Sequence, residues 1–456
     1  MAEDRAELDE EALAMQRLDA VLAAVEAGDS AGLDALLEPL HAADIADLLE
    51  QIGAADRAKL LALWHGGIDG EVLSEIDDAI REEVIEALPE DVVAEAMREL
   101  HTDDVVDILE DLDEPAQEKI LEALEDADRV AVEQALSYPE YSAGRLMQRE
   151  TVVAPEHWTV GEAIDYLRGA EELPDQFYHM ILIDPRLHPT GYVTLGRILS
   201  SGRAVRLRDI AEDSFRTISA TDEEADVAYI FNQYHLISCP VVDDAGRLVG
   251  VITIDDAMNV LDEEHQEDML RLAGVGDESS ISDRVLETAR QRLPWLFINL
   301  MTAILASLVI SQFEDAIARL VALAVLMPIV ASMGGNAGTQ SLTVAVRALA
   351  TRDLTGANVA RVVWREGAVG LLNGLFFALV MGLVSWVWFG DPTLGAVIAA
   401  AMVVNLVVAG LAGIMVPLTM ERFGVDPALA SGTFVTTVTD VVGFFVFLGL
   451  ATLVLL

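Results

Sequence analysis

The stretch PIVASMGGNAGTQSL, from Pro328 to Leu342, lies inside a run that otherwise has the composition of a membrane-spanning segment. It places polar side chains among glycines, at a depth where lipid penalises unpaired polar groups. Close helix packing explains the glycines, because small residues allow membrane helices to approach. It does not explain the polar side chains, which are tolerated where they face protein or water. We therefore predict that this stretch lines a pore through Gly335, Asn336, Thr339 and Gln340.

The surrounding chain contains apolar runs long enough to cross about 30 Å of hydrocarbon. Arginines precede the first run and fill the connection between the second and third, whereas the opposite connections carry only Arg319. The positive-inside rule then predicts a cytoplasmic N-terminal part and, after five spans in the lipid bilayer, a C-terminus outside. With an odd number of spans, a complete pathway could need two subunits. The runs are roughly residues 294–313, 317–345, 367–390, 393–418 and 428–456.

The chain before Pro294 is strongly acidic. Residues 294–456 hold 8 acidic and 6 basic side chains, so 69 of the 77 acidic and 22 of the 28 basic residues precede them. Such an excess attracts cations and repels nucleic acid, which we exclude as a partner. The single cysteine, Cys239, rules out an intrachain disulfide.

A carboxylate lies in the last apolar run. Asp440 lies within the sequence ASGTFVTTVTDVVGFF, about twelve residues after the start of the run 428–456. Twelve residues correspond to roughly 18 Å along a helix. A charge at that depth marks a functional site unless it is protonated and bonded between helices. Thr436, one turn earlier, could offer oxygen to the same lumen, although membrane threonines often bond their own backbone.

The donor atoms in these runs predict the kind of ion. They are carboxylate, amide, hydroxyl and carbonyl oxygens, and all eight histidines precede Pro294. Such donors suit a hard cation, Mg²⁺ or Ca²⁺, better than a soft transition metal. The chain has no Gly-x-x-x-x-Gly-Lys-Ser/Thr motif. We therefore expect the membrane potential to drive transport.

Two kinds of repeat occupy the acidic part. Residues 40–64 match residues 100–124 at an offset of 60, with the periodicity of stacked helical hairpins. His41 and His101 recur within them, and we expect them to cap or pack helices. Farther on, two copies of a helix, a strand and a Gly-x-Val/Ile-Thr hairpin resemble cystathionine-β-synthase-type (CBS) domains.

In the second CBS-like copy, Thr253 and Asp256 resemble the pattern that holds a nucleotide ribose in some CBS domains. The first copy has Thr194 and Arg197 instead, which leaves ATP binding open. A helical segment, Asp262–Leu272, then precedes the membrane. It is either a solvated linker or a cation sensor, and its sensor candidates are Glu263, Glu264, Glu267 and Asp268.

The motifs GGNAGTQS and TTVTDVVG, in this order of domains, resemble the MgtE family of magnesium channels over essentially the whole chain. The resemblance implies a homodimer with a central pore, in which Asp440 binds hydrated Mg²⁺ and Asp262–Leu272 is a plug helix. It also implies a cell-membrane protein, not an enzyme, that admits Mg²⁺ to the cytoplasm and is closed by cytosolic Mg²⁺ on its acidic surfaces.

The predicted fold class is multidomain, with an acidic superhelical all-α domain, two α/β CBS domains, a linking helix and five all-α membrane spans. The predicted boundaries are 1–138, 139–200, 201–262, 263–293 and 294–456. Two alternatives remain: a channel or carrier for Co²⁺, Ni²⁺ or Ca²⁺, and a membrane CBS receptor that transports nothing. The receptor leaves Asp440 unexplained.

Overall fold

The computed structural model describes residues 3–64, 67–110, 112–170, 173–174, 177–212, 215–275, 285–354 and 356–456. The chain divides into two compact units, Met1–Asp262 and Glu263–Leu456. Of the predicted linking region, residues 276–284 lie outside the described residues. The predicted fold class is confirmed.

The first unit begins with an all-α domain. Apolar residues of its helices, such as Leu33, Leu49 and Leu60, pack together in one core. The predicted repeat appears as two pairs of consecutive helices, α3–α4 and α8–α9, in the numbering below. They do not pack as hairpins: α3 packs on α5, α5 on α7 and α7 on α9, so each helix meets the next but one along the chain. His41 caps α3 as expected: its Nδ1 accepts from the Ala43 N–H, and Asp44 accepts from the His41 N–H. The helices are α1 (Glu3–Ala27), α2 (Ser30–Leu37), α3 (Ala42–Gln51), α4 (Ala54–Trp64), α5 (Gly70–Ser74), α6 (Asp78–Ala87), α7 (Glu90–Glu99), α8 (Thr102–Glu110), α9 (Glu114–Ala123) and α10 (Asp126–Leu136).

Two small sheets with the same topology complete the first unit. In each, the first strand pairs parallel with the second, which pairs antiparallel with the third. The registers also correspond, because His179 lies opposite Thr194 and Ser238 lies opposite Thr253. The strands are β1 (Val153–Pro155), β2 (His179–Ile183), β3 (Pro189–Thr194), β4 (Ile218–Ser219), β5 (Ser238–Val242) and β6 (Leu248–Thr253). The helices are α11 (Val160–Gly169), α12 (Leu195–Ser200), α13 (Glu224–Tyr234) and α14 (Ile254–Ala273).

The two repeats are joined through His179. Its Nδ1 shares a hydrogen bond of 2.5 Å with Oγ of Ser238, and burial lowers the pKa of the imidazole. In the core of the second repeat, Cys239 packs with Val241 and Ile252. Burial raises the pKa of this thiol to about 12.

The second unit is a helical membrane bundle. Among the described residues, five helices are long and apolar enough to span a bilayer: α15 and α17–α20. The predicted first run began at Pro294, but α15 begins at Val285, with Pro294 inside it. The carbonyl that proline leaves unbonded lies near the helix start, where water can satisfy it. The helices are α15 (Val285–Ser311), α16 (Glu314–Arg319), α17 (Ala322–Ala350), α18 (Val359–Phe389), α19 (Pro392–Arg422) and α20 (Pro427–Leu455).

Helix α19 lies at the centre of this bundle and is buried over most of its length. Its neighbours approach closely at glycines. A Cβ on Gly370 of α18 would lie 2.6 Å from the Leu406 carbonyl, and one on Gly413 would lie 2.7 Å from the Gly338 carbonyl. Any larger residue there would force the backbones apart.

Candidate cation pathway

Helix α17 carries the PIVASMGGNAGTQSL stretch without a break. The glycines serve close packing. Gly334 and Gly338 are buried, and a Cβ on Gly338 would lie 2.6 Å from Cγ1 of Val435 in α20. These two glycines define the side of α17 that faces the bundle.

The remaining polar side of α17 is exposed on the single chain. It presents Asn336, Thr339 and Gln340. Oγ1 of Thr339 donates to the Gly335 carbonyl over 3.0 Å, and Nδ2 of Asn336 donates to Oγ of Ser332 over 3.5 Å. Exposed amides are costly against lipid. This side is therefore suited to water or to another protein surface.

Helix α20 places Asp440 next to that polar side. A Cβ on Gly335 would lie 3.9 Å from Cγ2 of Thr436, and Asp440 follows Thr436 by one turn on the same side of α20. Oγ1 of Thr436 donates to the Gly432 carbonyl, the backbone bond typical of membrane threonines. The Asp440 carboxylate is half-buried and has no hydrogen bond or ion pair within the described residues.

Asn405 of α19 is fully buried and was not predicted from the sequence. Its Nδ2 donates to the Val330 carbonyl of α17 over 2.8 Å, while Oδ1 has no partner among the described residues. Leaving such an oxygen unpaired costs about 1–3 kcal/mol. A lone asparagine within AAAMVVNLVVAG was the available signal.

A buried carboxylate in α18, Glu366, was also missed. Its Oε2 accepts from Oγ of Ser341 in α17 over 3.0 Å, and its Oε1 pairs with Arg365 over 3.1 Å. Glu366 thereby anchors the polar stretch of α17 to α18.

The predicted plug segment is the second half of α14 rather than a separate helix. Glu263 is exposed, whereas Glu264, Glu267 and Asp268 are partly buried. The sequence did not indicate Arg271, which pairs with Glu267 and with Asp426, the N-cap residue of α20.

This segment packs against the membrane helices within the second unit. Leu272 contacts a cluster that includes Leu342 and Val435. Burial, and then the charges of Asp426 and Glu264, raise the pKa of Asp268 to about 6. The end of α14 therefore concentrates acids at the start of α20.

A second acidic cluster lies inside the first unit, between α8 and the start of α14. Burial and the charge of Asp256 raise the pKa of Asp103, and burial raises the pKa of Asp104 to about 6 and that of Asp256 to about 7. Ligand atoms of His101, Asp103 and Asp104 lie within 4.8 Å of one another. From the sequence, Asp256 was a nucleotide candidate, whereas Asp103 and Asp104 were only part of the general acidic excess.

The two nucleotide candidates lie in this region. Oγ1 of Thr253 donates to Oδ2 of Asp256 over 2.7 Å, at the start of α14. The same Oδ2 also accepts from the Thr253 N–H over 3.4 Å, so Asp256 caps the first turn of α14. Their role toward ATP stays a prediction.

Five spanning helices, with a carboxylate beside a row of oxygen donors and two CBS-type sheets earlier in the chain, are typical of a membrane transporter for a cation. Residues 327–450 match the MgtE model, described as a divalent cation transporter, residues 40–141 the MgtE intracellular N domain, and residues 207–263 the CBS domain.

The chain is 35% identical over 334 residues to the magnesium transporter MgtE of Thermus thermophilus, covering 72% of this chain and 73% of that one. It is 30% identical over 322 residues to that of Bacillus subtilis, covering 71% of each. The cytosolic domain of the Mg²⁺ channel MgtE, crystallised in complex with ATP, aligns with a TM-score of 0.49 at 27% identity, over 53% of this chain and 99% of that one.

The chain therefore belongs to the MgtE family of magnesium transporters. It is a multi-pass membrane protein with an intracellular N-terminal domain.

Proposed function

We propose that this protein is a homodimeric channel that admits Mg²⁺ to the cytoplasm down its electrochemical gradient and that cytosolic Mg²⁺ closes it. The observation that carries the proposal is Asp440, a half-buried carboxylate beside Thr436 and the polar side of α17. The relatives' description as magnesium transporters supports Mg²⁺ as the cargo.

The exposed polar side of α17 supports the dimer. A second copy that brought the same side and its own Asp440 to face the first would shield these groups from lipid and enclose a pore. Two facing carboxylates favour a dication between them. Mg²⁺ gives up its waters reluctantly, so the carboxylates would act on the hydrated ion. A potential of 100 mV, negative inside, contributes about 4.6 kcal/mol for a divalent ion.

The two acidic clusters support closure by Mg²⁺. Carboxylates whose pKa is raised by burial and by one another repel when ionised, and a dication between them removes that repulsion. Mg²⁺ at Asp103 and Asp256, and at Asp268 and Asp426, would favour the packed arrangement. A ligand shifts the gate only by binding one state more tightly. Closed must therefore be the state that binds Mg²⁺ better.

The pore assignment is tested by Mg²⁺ uptake into proteoliposomes with an inside-negative potential. We expect Asp440→Asn to reduce uptake by about tenfold or more, because no charge then holds the ion. Asp391→Asn makes the same change at the N-cap of α19 and should leave uptake near native. Equal uptake by Asp440→Asn and the native protein would refute the pathway.

Closure is tested by varying Mg²⁺ inside the vesicles. We expect Asp103→Asn with Asp256→Asn to raise the internal Mg²⁺ that halves uptake, whereas Asp91→Asn, exposed on α7, should not. A triple change of the plug acids Glu263, Glu264 and Glu267 to Gln should act in the same direction. Unchanged inhibition would show that the altered acids are not sensors.

Five spans also place the C-terminus outside in this proposal. A reporter enzyme that is active only in the cytoplasm, fused after Leu456, should be inactive.

ATP binding is tested by calorimetric titration of the full chain. If Thr253 and Asp256 hold the ribose, ATP should release or absorb heat on binding to the native chain, and Thr253→Ala should abolish this heat.

A further inference from the structure

The amide of Asn405 lies between the two helices that carry the proposed pore residues. On one side is Gly334 of α17, where a Cβ would overlap the amide nitrogen. On the other is Gly443 of α20, where a Cβ would lie 2.9 Å from Nδ2 and 3.1 Å from Oδ1. Glycines on both sides leave room for one flat group.

We propose that Asn405 is a positioning residue of the Mg²⁺ pathway: its amide sets the spacing between α17 and α20, and with it the selectivity of the site at Asp440. This inference rests on the proposed transport function. It names a residue that does not touch the ion and acts through the helices that do.

The chemistry of the site argues against a purely packing role. An apolar side chain of similar shape would fill the same space without burying the unpaired Oδ1. The amide adds direction, because Nδ2 is fixed on the Val330 carbonyl and the plane of the side chain is thereby fixed between the glycines. Leucine has a similar size, but it branches tetrahedrally and has no hydrogen-bond donor, so it cannot reproduce the planar amide or its bond to Val330.

The spacing matters because both contacts adjoin pore residues. Gly334 immediately precedes Gly335, and Gly443 follows Asp440 by one turn of α20. A carboxylate that acts on a hydrated ion distinguishes ions by the width available to the hydration shell. A shift of α20 relative to α17 would therefore change the selectivity among ions more than the amount of folded protein.

The test compares uptake of Mg²⁺ and Ca²⁺ by native protein and Asn405→Leu in proteoliposomes. We expect the Mg²⁺-to-Ca²⁺ ratio to fall by about threefold or more, with a changed half-saturating Mg²⁺ concentration. Asn373→Leu makes the same change at an exposed position of α18, and Ser385→Ala removes another buried, unpaired polar group. Both controls should keep the native ratio. A native ratio and half-saturation in Asn405→Leu would overturn the proposal, whatever its maximal rate.

A second readout follows the spacing directly. Gly335→Cys with Thr436→Cys places two thiols at facing positions, and we expect Asn405→Leu to lower their cross-linking yield severalfold. An unchanged yield would overturn the proposal. If Asn405→Leu does not fold, Gly443→Ala is the alternative variant. Its Cβ would lie 2.9 Å from Nδ2 of Asn405, so it should displace the same amide and change the Mg²⁺-to-Ca²⁺ uptake ratio. Loss of the proposed function itself would appear separately, as absent native uptake or full uptake by Asp440→Asn.

Discussion

The imidazole of His179 joins the two CBS repeats through its hydrogen bond with Ser238. Burial lowers its pKa, and the charge of Glu212 acts in the opposite direction. A histidine whose pKa is lower in the folded state takes up protons more readily when unfolded. Its contribution to stability is therefore full above the unfolded pKa of about 6.5 and is lost as the pH falls below that value.

We accordingly expect the thermal unfolding midpoint of His179→Asn, taken relative to that of the native chain, to be higher at mildly acidic than at neutral pH. The raised pKa values of Asp103, Asp104 and Asp256 act in the opposite direction in both proteins, so the difference between the two midpoints is the quantity to compare. His157→Asn, exposed in the same repeat, should show no such difference. Circular dichroism of the full chain in detergent measures both. The same pH dependence in His179→Asn and the native chain would contradict this role.

Ser341 is expected to stabilise the membrane bundle through Glu366. Ser341→Ala leaves a buried carboxylate oxygen without its donor, which should cost about 1–3 kcal/mol. The measurement is the denaturation midpoint in detergent. Thr343→Val is the control, since that hydroxyl is exposed and donates to its own helix. Equal midpoints for the two variants would show that the Glu366 bond contributes nothing.

Residues differ in how far the sequence could reveal them. A charge in an apolar run is visible locally, so Asp440 and the polar stretch of α17 could be predicted. Asn405 bonds a residue 75 positions away, and Arg271 pairs with one 155 positions away. Such roles depend on which helices become neighbours, and one sequence does not specify that.

At the scale of elements, periodicity predicted the helices of the N-terminal domain, the repeated hairpin of strands and the five spans. Where a helix begins and ends was harder to predict. Helix α14 continues from Ile254 to Ala273 because Thr253 and Asp256 start it and no breaker interrupts it, so the plug is the end of a longer helix. Such continuity depends on capping contacts that composition does not show.

Arg271 bridges the end of α14 and the start of α20, beside the apolar contact of Leu272. Arg271→Gln would leave Glu267 and Asp426 facing each other without their cation. We expect faster hydrogen exchange in residues 264–273 in Mg²⁺-free buffer, and we expect Mg²⁺ to slow it again by replacing the guanidinium. Arg290→Gln, exposed on α15, is the control. Native exchange rates in Arg271→Gln would contradict the bridge.

The whole molecule separates its charge between the cytosolic and membrane parts. Composition alone predicted this division and the preference for cations. It could not say which of the 69 acids before Pro294 meet, because α8 and the start of α14 approach only in the folded chain. The acids that we propose as Mg²⁺ sensors are thus a few buried residues among many acidic residues that are solvated.

At this scale we expect Mg²⁺ to compact the protein more than ionic strength does. Replacing Na⁺ by Mg²⁺ at equal ionic strength should raise the sedimentation coefficient, since only the dication can join two carboxylates. Asp103→Asn with Asp256→Asn should weaken the response. Equal sedimentation coefficients in Na⁺ and Mg²⁺ would indicate that the acidic residues respond only to ionic screening of their charges.

The buried Cys239 is poorly placed to react with thiol reagents. Burial raises its pKa to about 12, and the thiolate is the reactive form, so this side chain should react slowly at neutral pH. For spectroscopy, the native chain behaves as a cysteine-free background, so one introduced cysteine can carry a fluorescent or spin label at a chosen position.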